Sequence, residues 1–345
     1  MTTEEIRNAV ISAAHDAGDE LNRLAGNLAA AEASLAAQRS TIADLSDHLA
    51  DALARIAELE GPPQTARVLL GMATEAARWD ERVALTGPVA ARRVFQPTWS
   101  ISGLIAKVKE CLADGLVPVA SIKPIPSSGT VADWAGVARG DWDSRFVELG
   151  KALAALDVPL YFSIHHEPRG GGVDTPAELV PWARCLARAL PIVKAEAPKV
   201  LVGTIDNGHP WGEKWGTLTD AQLAVYYIPD LLAACDFLGG DFYDGATATN
   251  PGEPAHVKMT NFAAWAKRVG HDGPLLAGEW NFITAQDCRD TWPVLNAGPW
   301  AVACLFNSDD NNRSDLPASI GGTWSLKPDT DRLAAFRELL ALAAH

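Results

Sequence analysis

Lysine is missing from the first 60 residues and tryptophan from the first 78, and cysteine occurs only five times in 345 positions. The cysteines, Cys111, Cys185, Cys235, Cys288 and Cys304, are odd in number and far apart, with no CxxC pair among them. That spacing excludes a disulfide framework and a thiolate metal site, and predicts buried small hydrophobes in a chain folded in a reducing cytoplasm. No stretch reaches about 18 uninterrupted apolar residues, so no membrane span is expected. The opening "MTTEEIRNAV" has no basic region followed by an apolar core, so no signal peptide is expected either. Positive charge is also scarce. A formal net charge of −14 argues against nucleic acid or an anionic membrane as partner, because both demand a basic patch; a neutral partner suits the chain better. What the chain does have is 48% hydrophobic against 21% charged residues, enough for a sizeable packed core.

From Leu21 a heptad runs without interruption. Its a positions are Leu21, Leu28, Leu35, Ile42, Leu49 and Ile56, and its d positions are Leu24, Ala31, Gln38, Leu45, Ala52 and Leu59. Branched aliphatics at every a position predict a coiled coil. Residues 1–60 hold four arginines and eleven acids, half of the chain's net charge, and a single helix has too little surface to bury this seam. The expectation is a homo-oligomer through residues 21–59, with a trimer preferred slightly over a dimer; a helix folded back on the main domain is the alternative. "EGPPQT" ends the helix, since its two prolines cannot continue it. The expected organisation is an oligomerisation segment over 1–60, a linker over 61–66 and a main domain over 67–345.

Beyond the linker, eight short apolar runs alternate with helical stretches: 67–73, 92–97, 116–124, 158–168, 199–207, 236–244, 274–282 and 300–308. Their nearly continuous hydrophobicity is that of strands covered on both faces. Eight such units over about 280 residues predict an α/β fold, a (β/α)8 TIM barrel, preceded by the N-terminal α-helical coiled coil.

In such barrels reactive groups stand at the C-terminal ends of the strands. Run four ends in His165-His166-Glu167, run five in Asp206-Asn207-Gly208-His209, and run six in Asp241-Phe242-Tyr243-Asp244. Run seven ends in Gly278-Glu279-Trp280-Asn281, and run eight in Asn307. Two glutamates across one mouth are the equipment for glycosidic bond cleavage, and a separation of roughly 5 Å would favour the retaining route. Glu167 is then the acid/base and Glu279 the nucleophile, with Asp241 a supporting residue. Gln96, Lys123, His165, Asn207, His209 and Asn307 are candidate ligands for sugar hydroxyls. Trp99, Trp211, Trp280 and Trp324 are candidate stacking platforms, Trp280 first because it adjoins the nucleophile. No cofactor is implied, since side chains supply both proton and nucleophile.

These residues resemble clan A glycoside hydrolases, in which the acid/base glutamate ends strand four and the nucleophile ends strand seven. The His166-Glu167 pair looks most like family 26, the β-mannanase family. That resemblance implies that Tyr243 hydrogen-bonds the nucleophile and that His166 contacts the substrate or orients the acid. A coiled coil fused to such a barrel is similar to minor tail proteins of phages infecting actinobacteria. It implies a place in the virion among other tail proteins, acting on host envelope glycan. Four other readings stay open. Either glutamate could simply pair with an arginine such as Arg93 or Arg169. His165, His166, Glu167 and His209 could bind a metal, although strand alternation points the two adjacent histidines apart. The barrel could bind glycan without cutting it, or serve as an intracellular sugar-processing enzyme.

Overall fold

The computed structural model describes residues 67–123, 134–168, 175–212, 218–244, 253–309, 316 and 320–344, with single positions and one short run, 23–28, among the first 41. The chain divides into two compact units, Met1–Gln64 and Thr65–His345. In the first, the described positions from Gly18 to Leu28 are helical, and Leu21, Leu24 and Leu28 are 67%, 49% and 62% exposed. The rest of the predicted heptad, apart from Gln38, and the linker over 61–66 lie outside the described residues.

The second unit is a closed barrel of eight strands in sequential order, every neighbouring pair parallel. The strands are β1 (Leu69–Ala73), β2 (Ala91–Gln96), β3 (Val117–Ile122), β4 (Leu160–Ile164), β5 (Val200–Asn207), β6 (Phe237–Tyr243), β7 (Leu275–Asn281) and β8 (Trp300–Phe306). The helices that return the chain include α1 (Trp79–Thr86), α2 (Ile101–Ala113), α3 (Trp134–Arg139), α4 (Asp143–Ala154) and α5 (Val180–Glu196). They continue with α6 (Asp220–Leu223), α7 (Pro229–Ala234), α8 (Ala255–Arg268), α9 (Ala285–Ala297) and α10 (Asp331–Ala344). All eight predicted runs become strands.

Alternation along each strand sorts side chains into two cores. Ala91, Val119, Ile205, Phe237, Leu276, Val302 and Cys304 fill the barrel interior, while residues of opposite parity, such as Phe162, Leu275 and Ala277, pack against the helices. Gly203 makes room for Phe237, because a Cβ there would lie 2.1 Å from the Phe237 carbonyl oxygen. Helix starts are capped locally: the Ser100 hydroxyl accepts from the Gly103 N–H at 3.2 Å, and Thr284 and Asp287 form a capping box on α9. All five cysteines are free, four buried and Cys235 half-buried.

Two irregularities place the site. β4 stops at Ile164, and His165 and Glu167 then take left-handed backbone at φ 50° and 49°, unusual for residues with a Cβ. On β7 the register with β6 shifts, so that Ala277 pairs with Gly240 but Glu279 with Asp241. The extra residue is Gly278, whose Cβ would stand 2.7 Å from Asp241 Oδ1. Unbroken alternation from the interior Leu276 would have sent Trp280 inward and Glu279 out. The bulge reverses that parity.

Candidate active site

The mouth is built from the ends of β2 to β8. Glu279 is buried, and its carboxylate accepts a short hydrogen bond from the Tyr243 hydroxyl. Glu167 is half-buried, with its backbone N–H bonded to the Ile205 carbonyl at 2.9 Å. Burial, and secondarily the charge of Glu279, pushes the Glu167 carboxyl up to about 7. Burial also raises Glu279, but Arg93, the Tyr243 hydroxyl and Lys123 all pull it back toward the ionised form. Arg93 and Lys123 lower both carboxyls, so the two glutamates differ in the Tyr243 hydrogen bond at Glu279 and in the Glu279 charge that helps raise Glu167. Neither glutamate is in an ion pair among the described residues, Arg93 included; Arg169, the other arginine considered, lies outside them.

Asp241 lies beneath them, 2% exposed. Burial, followed by the charges of Glu279 and Glu167, pushes its carboxyl well above the ordinary range. His166 turns into the barrel, Nδ1 2.9 Å from Ser121 Oγ, with its ring against Phe95. His165 packs edge-on against Trp134, and its carbonyl accepts from the Trp182 indole at 3.1 Å. Burial pushes His165 down to about 3 and His166 well below its usual value, so both are neutral. The left-handed turns end the alternation that predicted opposite directions for them. Among the described residues no group of three or more His, Cys, Asp or Glu side chains is arranged to hold a metal ion.

The remaining candidates divide. Lys123 sits half-buried just past β3, on the inward parity of Ser121, and its charge acts on both glutamates and both histidines. Asn207 and His209 occupy the end of β5 and the turn after it. Trp324 packs 5.3 Å from the Tyr243 ring, which brings it to the nucleophile side of the mouth. Trp99 is half-buried, edge-on to Trp142 and Phe146.

Four expectations are corrected. Trp280, fully buried, is turned outward by the bulge onto Phe282 and Phe336 and has no face for a sugar. Trp211, 1% exposed, is packed among Tyr227, Phe262 and Trp265. Asn307 is a loop anchor, donating to Met72 Sδ and accepting from the Leu326 N–H at 2.8 Å. Gln96 has the outward parity of β2, bonds Thr98 Oγ1 at 3.3 Å and packs beneath Gly103 at the start of α2.

The reading of the residues did not assign Arg93 or Trp134 to the site. Arg93 is 2% exposed inside the barrel, donating to the Val119 carbonyl and lying over the Phe95 ring at 4.5 Å. The signal was a charged residue at an inward position of an otherwise apolar strand. Trp134 opens α3, and no sequence pattern ties it to His165.

Among solved structures the chain is similar to a fungal beta-1,4-galactanase, with a TM-score of 0.57 and 14% identity, covering 79% of this chain and 100% of that one. It is also similar to a glucosidase from Croceicoccus marinus, with a TM-score of 0.53 and 16% identity, covering 82% of this chain and 69% of that one. No family model matches the sequence, and neither does any curated protein. At such identities the likeness establishes the fold, an eight-stranded parallel barrel of the kind these two proteins share.

Proposed function

We propose that the barrel is a retaining glycoside hydrolase. One observation carries the reading: two interacting glutamates at one mouth, Glu167 raised to about 7 by burial and the charge of Glu279, and Glu279 bonded to the Tyr243 hydroxyl. Glu167 gives its proton to the glycosidic oxygen as the bond to the anomeric carbon breaks. Glu279 attacks that carbon and forms a glycosyl ester. Glu167, now ionised, takes a proton from water, the water oxygen displaces Glu279, and the sugar leaves with its original anomeric configuration. Tyr243 orients the nucleophile, and Trp324, 3% exposed, packs against that tyrosine and does not serve as the stacking platform expected of it.

The likeness to a galactanase and a glucosidase supports a glycan substrate, and the His-Glu pair at 166–167 supports a family 26-like variant of the clan A arrangement. The predicted heptad and the exposed Leu21, Leu24 and Leu28 support an oligomer, a trimer before a dimer, on which the barrel is carried. That architecture supports a tail-associated protein of a phage virion acting on host envelope glycan. The test is to incubate the full chain, and its Glu279→Gln variant, with bacterial envelope and plant polysaccharides and to measure new reducing ends. Release by the unmodified protein alone is expected. No release from any glycan would favour a virion protein that binds glycan without cutting it.

A further inference from the structure

The net charge of the chain predicts a neutral partner, but two cations, Arg93 and Lys123, stand at the mouth, where they act on Glu279 and Glu167 beside the Asp206 carboxylate.

Of these, Lys123 stands in a definite corner. Ile122 and Ile164 are the last paired residues of β3 and β4, and Lys123 and His165 follow them as neighbours, with the His165 N–H on the Ile122 carbonyl at 2.8 Å. The Trp134 ring stands 5.1 Å from that of His165. His165 Nδ1 and Trp134 Nε1 are buried without a hydrogen-bond partner, in residues only 7% and 6% exposed. The Lys123 ammonium makes no ion pair or hydrogen bond among the described residues, whereas Lys194, Lys199 and Lys327 are all paired with aspartates. Buried polar groups without partners are costly and uncommon. The Lys123 ammonium, whose charge acts on His165, the Trp134 indole N–H and a neutral imidazole, which can carry its proton on Nδ1, are three donors without an acceptor among the described residues. An anion there makes charge-assisted hydrogen bonds that a sugar hydroxyl does not.

We infer that Lys123, His165 and Trp134 form a specificity corner for an acidic substituent, a carboxylate or a phosphate ester, on the sugar bound at the mouth. The inference rests on the hydrolase reading for which molecule enters there.

Binding is measured calorimetrically with the full-length Glu279→Gln protein, so that nothing is cut. Oligogalacturonate, hyaluronan oligosaccharides and phosphomannan are each compared with a neutralised counterpart, carboxyl-reduced or dephosphorylated. At least one acidic glycan is expected to bind tenfold or more tightly than its counterpart, an advantage that shrinks as salt screens the charge. The uronate arms and the phosphate arm tell the two anions apart. Adding Lys123→Met should collapse the ratio toward one, and Lys123→Arg should retain much of it. Equal binding within every pair, no binding at all, or a ratio unmoved by Lys123→Met would overturn the inference. Cleavage is followed separately with the unmodified protein. Equal cutting of acidic and neutral forms sinks the corner and keeps the hydrolase, whereas preferential binding without cutting keeps the corner and sinks the hydrolase.

Discussion

Glu167 and Glu279 have the same side chain and share one pocket, so their different roles come entirely from their neighbours. Arg93, Tyr243 and Lys123 favour the anion at Glu279, and the charge so created adds to burial in raising Glu167 to about 7. The acid must carry its proton to protect the leaving oxygen, so activity falls as pH rises through about 7. A pH–rate profile should show this alkaline limb, and Glu167→Gln should abolish it while lowering turnover by about 10²- to 10⁴-fold. An unshifted alkaline limb in that variant would remove Glu167 from the acid's role. Tyr243→Phe takes away the one hydroxyl bonded to Glu279. Losing a hydrogen bond to a charged group costs about 1.5–3 kcal/mol, so turnover should drop roughly ten- to a hundredfold and the acid limb should move upward. Both glutamates were legible in the sequence because each ends an apolar run. Their unlike protonation was not, since it depends on burial and on the Tyr243 hydroxyl that bonds Glu279 once the barrel has closed.

At the scale of the element, the two strand ends that carry the glutamates are the two that break regular geometry. Left-handed residues on a non-glycine backbone, as at His165 and Glu167, store strain of about 1–3 kcal/mol each that the surrounding packing must sustain. On β7 the bulge at Gly278 turns Glu279 in and Trp280 out. A methyl group at 278 would meet Asp241 Oδ1 at 2.7 Å and Ile205 Cγ2 at 2.8 Å, in a packed interior where overpacking costs about 1–3 kcal/mol. Gly278→Ala should therefore lose activity by a far larger factor than its modest fall in melting temperature explains, because the shift lands on Glu279. Equal and small effects on both would mean that the bulge does not set the nucleophile. The choice of Trp280 as a platform failed for the same reason. Sequence adjacency places a side chain beside its neighbour, but a bulge decides which face it takes. Gln96 and Asn307 were misjudged more simply: a polar residue closing an apolar strand can serve the mouth or anchor a loop, and only the contacts with Thr98 and with Leu326 distinguish the two.

For the whole molecule, buried titratable groups of both kinds determine how stability follows pH. Glu167, Asp241 and Asp244 are raised by burial, Glu167 and Asp244 to about 7, so the folded chain holds protons that the unfolded chain releases above about pH 4. Their contribution is complete at low pH and is lost as pH rises through the folded values. His165, His166 and His271 are lowered, and they act in the opposite sense below about pH 6.5. The two sets offset each other in mildly acidic solution, and only the carboxyls act above it. The melting temperature should change little between pH 5 and 6.5 and fall from 6.5 to 8, and Asp244→Asn should reduce that fall. A melting temperature that climbs between pH 6.5 and 8 would contradict the burial of these acids. Association is tested separately. Full-length protein in the ultracentrifuge should sediment as a trimer or dimer, and glutamate at positions 21, 24 and 28 should convert it to monomers. A monomeric parent protein would end the oligomer proposal.

Periodicity in the chain was enough to determine the barrel, the order of its strands and the two glutamates that end the fourth and seventh, because burial on both faces writes itself as apolar runs and both glutamates stand where such a run stops. It did not determine which way the residues beyond those stops face. A single inserted glycine on β7 and two left-handed residues after β4 decide that, and they follow from how the neighbouring strands crowd one another. The same holds for Arg93 and Trp134, which reach Glu279 and His165 only once the sheet has closed.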